Sequence, residues 1–244
     1  MKNQTVIIIG ANSAIAKALV DVFIADSNTQ LILVSRNVDD YQHDLFNRAK
    51  LIDVKNYQEC EIDAAMIRVK QVVTFDISNV FICNGVLHNQ HCQPEKRLED
   101  FTASVFTEII TANTITPMLW LKNLVPILPS SQNCKIVVFS ARVGSISDNK
   151  LGGWYSYRAS KAAMNMLIKS AAVELARRAK NIKLISFHPG TTDSPLSQPF
   201  QKNVPKGKLF TREFVAKQLL KVVEDTPVDG EASFLDWQGK DIPW

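Results

Sequence analysis

The chain has 244 residues, of which 46% are hydrophobic and 21% charged, enough apolar material for a sizeable core and too much for a disordered chain. The net charge is +4, with its basic residues scattered; the nearest cluster, Arg177, Arg178 and Lys180, suits the C-terminal end of a helix, so no nucleic-acid partner is expected. No run of about 18 apolar residues is present to cross a membrane, and Met1 to Gln4 lead straight into an apolar strand with no signal-peptide core, so a cytoplasmic protein with no membrane partner is expected.

Short Val- and Ile-rich runs alternate with longer helical patterns. A strand from Thr5 to Ile9 precedes a helix from Ser13 to Asp26, and a strand from Leu31 to Val34 precedes a polar helical stretch reaching about Ile52. A weakly marked third strand is placed near Gln58 to Ile62, followed by a helix from Asp63 to Phe75 and a strand from Val80 to Cys83. One long helix is predicted from about Leu98 to Leu128, then a strand from Lys135 to Phe139 and a helix holding Tyr157 and Lys161. A strand from Lys183 to Phe187, a helix from Thr211 to Glu224 and a strand from Ala232 to Asp236 complete the chain. Seven strands alternating with helices, apolar on both faces, imply an α/β fold with a parallel sheet covered on both sides. No repeat or linker divides the chain, so one domain over 1–244 is expected, and the irregular, proline-containing stretch at about 191–210 is placed as a lid over a cleft.

Cys60, Cys83, Cys92 and Cys134 show no CxxC spacing, and reduced, mostly buried thiols are expected. His88, His91 and Cys92 lie close together but match no closed zinc set, so no metal is assigned and a loop edging a cleft is the expectation.

The chemistry concentrates at Tyr157-Arg158-Ala159-Ser160-Lys161. Positions four apart share a helix face, so the Tyr157 phenol and the Lys161 ammonium project into the same space, and a cation beside a phenol favours the phenolate. At the other end of the chain, Gly10-Ala11-Asn12-Ser13-Ala14-Ile15-Ala16 joins the first strand to the first helix, where backbone N–H groups and the helix dipole suit a pyrophosphate. The second strand ends in Ser35 and Arg36 where an acid would select NAD, and a hydroxyl with a guanidinium suits a 2′-phosphate instead.

Gly10 to Ala16, Asn113, the Tyr157 to Lys161 stretch and Pro189-Gly190 resemble, in order and spacing, the short-chain dehydrogenases/reductases, and the resemblance covers essentially the whole chain. Ser140 to Ile146 and His188-Pro189-Gly190 further resemble the branch holding the C-factor signalling protein and the sniffer-type carbonyl reductases. The resemblance implies a Rossmann-like, doubly wound sheet and NADP(H)-dependent reduction of a small carbonyl substrate, or oxidation of the alcohol. Tyr157 is the implied acid, and Lys161 lowers its pKa and holds the nicotinamide ribose. Asn113 matches the asparagine that holds a proton-relay water. The implied cofactor contacts are Gly10, Asn12, Ser13, Ile15, Ser35, Arg36, Asn84, Gly85, Tyr157, Lys161, Pro189, Gly190 and Thr192, with Asp63, or else Cys60, as the contact to adenine after the third strand.

The chain departs from the family pattern at two places. The serine expected to bond the substrate oxygen falls on Ala141; Ser140 and Ser145 flank it, and Ser140 is favoured if the turn begins one residue early. Ile82-Cys83-Asn84-Gly85 stands in place of Asn-Asn-Ala-Gly. Loss of the expected hydroxyl supports an alternative, a low-turnover NADP-binding signalling protein of the C-factor type. Relatives that pair through the helices bearing Asn113 and Tyr157 imply a homo-dimer or homo-tetramer.

Overall fold

A computed structural model describes residues 3–128 and 131–244. The chain begins β1 (Gln4–Ile9), α1 (Ala14–Ile24), β2 (Thr29–Ser35), β3 (Lys50–Asp53), α2 (Glu59–Val72) and β4 (Ile77–Ile82). It continues α3 (Ala103–Ile110), α4 (Thr116–Leu124), β5 (Cys134–Phe139), α5 (Tyr155–Arg178) and β6 (Ile182–His188). Two short strands, β7 (Thr191–Thr192) and β8 (Leu209–Phe210), bracket the proline-containing stretch, and α6 (Arg212–Asp225) leads to β9 (Ala232–Asp236).

Seven strands form one sheet in the order β3-β2-β1-β4-β5-β6-β9, and every pairing in it is parallel. Alternate residues of each buried strand serve opposite faces. Ile7 and Ile9 pack with Ile62 and Met66 of α2, Trp120 and Leu124 of α4 and Ile168 of α5, while Val6 and Ile8 pack with Leu19 of α1 and Leu219 of α6. This is the Rossmann-like, doubly wound architecture that the alternating pattern implies. The strand order reverses between β1 and β4, which opens a crevice at their C-terminal ends, the place where such sheets bind ligands. Among the described residues no helix is long and apolar enough to cross a membrane.

Three predicted elements are corrected. The polar stretch after β2 forms two single 3-10 turns, Asp39–Tyr41 and Asp44–Phe46, because its Asn and Asp side chains bond nearby backbone, as in Asp39 N to Asn37 Oδ1 at 2.7 Å. The third strand is Lys50–Asp53, and Gln58 to Ile62 is instead the start of α2, where Ile62, Ala65, Met66 and Val69 bury one helical face. The long helix from Leu98 to Leu128 is interrupted: Thr102 caps a new start at α3, and residues Thr111–Ile115 widen into a π turn before α4. Pro117 lacks the N–H that an α-helix would offer to the Asn113 carbonyl, and the wider turn accommodates that loss.

The placement of α2 has a direct test, because a strand would set residues 60 and 62 on one face and a helix separates them. Ile62→Ala is expected to lower the unfolding free energy by about 2–4 kcal/mol in a urea titration. Cys60→Ala, at an exposed position, is expected to shift it by less than about 0.5 kcal/mol. Equal losses would contradict the helical assignment.

Candidate active site

Tyr157 and Lys161 lie in the first two turns of α5, and both are buried, at 8% and 3% exposure. The turn Arg142–Gly144 after β5 presses against this helix so closely that a Cβ on Gly144 would stand 2.7 Å from Lys161 Cβ and 2.9 Å from its carbonyl carbon. Only glycine allows that approach. Lys161 Nζ donates to the Phe139 carbonyl at 2.8 Å and stands 5.7 Å from the centre of the Tyr157 ring. A Cβ on Gly85 would be 3.5 Å from the same nitrogen, so the ammonium lies between the ends of β4 and β5.

Burial sets the protonation of the pair. It lowers Lys161 to about 8 and raises the Tyr157 phenol above its ordinary value. The direction is opposite to the lowering of Tyr157 expected from the neighbouring cation, and the phenol is protonated at neutral pH.

The π turn locks onto this helix. Asn113 donates to Ser160 Oγ at 3.0 Å and to the Val86 carbonyl at 2.8 Å, while its Oδ1 accepts from Val86 N at 2.7 Å. Thr114 Oγ1 donates to the Ser160 carbonyl at 2.7 Å, and Ser160 Oγ donates to the Tyr157 carbonyl at 2.8 Å. Ser160 therefore connects Asn113 to the backbone of Tyr157.

Both serines that flank Ala141 have protein partners. Ser140 Oγ donates to Asn165 Oδ1 at 2.8 Å inside the protein, and Ser145 Oγ accepts from Asp148 N at 3.2 Å to close its own turn. The turn starts with Ala141 extended, not one residue early, so the expectation for Ser140 is withdrawn.

The crevice between β1 and β4 carries the other expected residues. Gly10 adopts φ +74, and a Cβ there would stand 3.2 Å from Asn84 N, so the turn needs glycine on both counts. Ser13 caps α1 by accepting from Ala16 N at 3.3 Å. Asn12 donates to the Asn37 carbonyl at 2.6 Å, tying the turn to the end of β2. Ser35 is buried and accepts from Asn37 N at 3.4 Å, whereas Arg36 is exposed, 5.1 Å from the Tyr57 ring centre. A recess bounded by Arg36, Asn37, Val38, Asp39, Gln42 and Asp53 opens there. Asp63 is not part of it: it lies on α2 and accepts from Asn123 at 2.8 Å, and Cys60 is exposed on the same helix. With the third strand at Lys50–Asp53, the acid at its end is Asp53, which the sequence pattern did not single out; Leu51-Ile52 ahead of it was the available signal.

Along the same edge of the sheet, Asn12 Oδ1, Asn84 Oδ1, His188 Nδ1 and Thr192 Oγ1 are buried without protein partners. Burial and the nearby Arg142 guanidinium push His188 down to about 4, so its ring is neutral. An open turn at a helix N-terminus, a strand-end guanidinium and a row of unpartnered polar atoms fit a dinucleotide.

The segment between β7 and β8 reaches Tyr157 through Trp154. Phe200, in the 3-10 segment Gln198–Asn203, meets Trp154 in a tilted contact at 5.0 Å and His88 edge-on at 5.7 Å, and Trp154 lies 6.2 Å from the Tyr157 ring. His88 Nε2 faces the carbonyls of Pro195 and Leu196 at 3.2 and 3.1 Å, so that nitrogen carries the hydrogen. A separate open cleft of about 670 Å³ lies between the lid and the starts of α1 and α6, walled by Ala14, Ser194, Thr211 and Arg212, and does not include Tyr157.

A sequence profile described as short chain dehydrogenase matches residues 4–205. The chain belongs to the short-chain dehydrogenase family. It is 26% identical over 147 residues to C-signal of Myxococcus xanthus, covering 60% of this chain and 83% of that protein. Among solved structures it is similar to an NADPH-bound carbonyl reductase from chicken fatty liver, with a TM-score of 0.82, 21% identity and 100% of both chains covered. It is likewise similar to the carbonyl reductase Sniffer of D. melanogaster, with a TM-score of 0.81, 19% identity and 100% of both chains covered. In this chain the Tyr157 to Lys161 pair and Asn113 are joined through Ser160, and the Gly10 turn packs against Asn84 at the end of β4.

Proposed function

We propose that the protein is an NADP(H)-dependent oxidoreductase that reduces a small carbonyl compound, or oxidises the corresponding alcohol. The buried Tyr157–Lys161 pair at the end of the ligand crevice carries this reading. NADPH, when bound, supplies the hydride. Tyr157, protonated at neutral pH, gives its proton to the carbonyl oxygen as charge develops there. Lys161, charged below about 8, stabilises the phenolate left behind. Asn113 fixes the Tyr157 backbone through Ser160, and Pro117 withholds the ordinary helical donor from the Asn113 carbonyl, an acceptor suited to a relay water.

The Gly10 turn and the start of α1 suit the pyrophosphate, Ser35 and Arg36 the 2′-phosphate, Asp53 the adenosine end, and Asn84, Gly190 and Thr192 the nicotinamide end. The relatives described as an NADPH-bound carbonyl reductase and as the carbonyl reductase Sniffer support the same choice of cofactor and reaction. Phe200 and Trp154 above Tyr157 favour an apolar substrate. The absence of a hydroxyl at Ala141 favours a second reading, a slow enzyme that serves as an NADP-binding signalling protein, in line with the C-signal relative.

Loss of NADPH absorbance with a panel of small apolar aldehydes and ketones tests the reaction. Turnover with NADPH is expected to exceed that with NADH, and Arg36→Ala is expected to raise KM for NADPH about tenfold or more while leaving NADH little changed. A preference for NADH would contradict the assignment of Arg36 to a 2′-phosphate, and tight NADPH binding without turnover of any carbonyl would contradict the reductase reading.

Ala141→Ser returns a hydroxyl to the position beside the pair. It is expected to raise kcat about tenfold or more on the substrate found. An unchanged kcat would show that the substrate oxygen takes its second hydrogen bond elsewhere.

A further inference from the structure

We propose that Glu95 is a positioning residue for the reaction: by bonding Ser156 it fixes the start of α5 and so the place of Tyr157. The inference rests on the oxidoreductase reading above. It begins from an anomaly in the helix. α5 starts without a side-chain cap, because its N-cap is Trp154, whose indole offers no acceptor to the first-turn N–H groups. Trp154 is also the one non-glycine residue with positive φ among the described residues, at φ 51 and ψ 43, a conformation that costs on the order of 1–2 kcal/mol.

Glu95, 61 positions before Ser156, supplies what the helix start lacks. Its carboxylate oxygens accept from Ser156 N at 3.3 and 3.2 Å, and Oε1 also accepts from the Ser156 hydroxyl. Its backbone carbonyl accepts from Trp154 N at 2.6 Å. The residue is 3% exposed and Ser156 is 1% exposed, so this is a dry contact between a carboxylate and the positive end of a 24-residue helix. A serine or aspartate at position 154 would cap the helix as well. It would not tie α5 to the segment after β4.

That tie completes a bracket around Tyr157. The same segment is held at its other end by Asn113, which grips Val86 and Ser160. Ser156 and Ser160 lie on either side of Tyr157, so one short segment reaches the acid from both directions. The backbone bond from Trp154 also orients the ring that lies between Tyr157 and Phe200 of the lid. Releasing the carboxylate lets the first turn of α5 shift, and a displacement of about 1 Å at a reacting group can cost on the order of 100-fold in rate.

The test compares wild type, Glu95→Ala, Glu95→Gln and Ser156→Ala by kcat and KM on a turned-over carbonyl and by NADPH affinity from cofactor fluorescence. Glu95→Ala is expected to lower kcat about tenfold or more with NADPH affinity within about twofold of wild type, and Glu95→Gln, which keeps an acceptor of the same length, to restore most of the loss. Ser156→Ala, which keeps the N–H bond and removes the hydroxyl, is expected to lower kcat about threefold; it decides the matter if Glu95→Ala does not fold. A wild-type kcat in either alanine variant, or a loss of NADPH affinity matching the loss of kcat, overturns the positioning role. A wild type that turns over no carbonyl overturns the reductase reading, and this inference with it.

Discussion

A buried lysine at the ends of two central strands is the constraint around which this fold is arranged. Lys161 is taken out of water and bonds a backbone carbonyl, Phe139, so desolvation lowers its pKa. Holding an ammonium there requires close walls: Gly144 lets the turn after β5 touch the helix backbone, and Gly85 leaves room at the end of β4. The same closeness brings Tyr157 into the dry space beside it. The phenol and the ammonium thus share a desolvated space, the arrangement on which the proposed proton transfer rests.

The site is held by few but connected contacts. Asn113 and Thr114 from the π turn converge on Ser160, and the motif serine between Tyr157 and Lys161 thereby becomes the joint between two helices. The π turn matters because it sets Asn113 and Thr114 facing α5 together. An uninterrupted α-helix through Pro117 would carry a clash and a missing bond at that point.

What the sequence revealed was local or periodic. The strands of the central sheet were legible because burial on both faces demands unbroken Val and Ile, and Tyr157 with Lys161 because four positions make one helical turn. β3 was obscured: it is four residues long at the sheet edge, with Lys50 and Asp53 exposed, so its composition resembles a loop, and the misplacement put Asp63 in the strand-end position that Asp53 occupies. The π turn Thr111–Ile115 is signalled in the sequence only by Pro117. Glu95 could not be found by spacing at all, since its partner is 61 residues away. Ala141 was legible as a missing hydroxyl, but the choice of Ser140 failed on a contact with Asn165 that only the folded chain shows.

The central claim is that the Tyr157 proton is the one given to substrate, and Tyr157→Phe tests it most directly. Phenylalanine keeps the ring that meets Trp154 and the Lys161 ammonium, so NADPH affinity measured by cofactor fluorescence is expected to stay within about twofold of wild type while kcat falls about 100-fold or more. A Tyr157→Phe protein that binds NADPH and reduces its carbonyl at the wild-type rate would contradict the account.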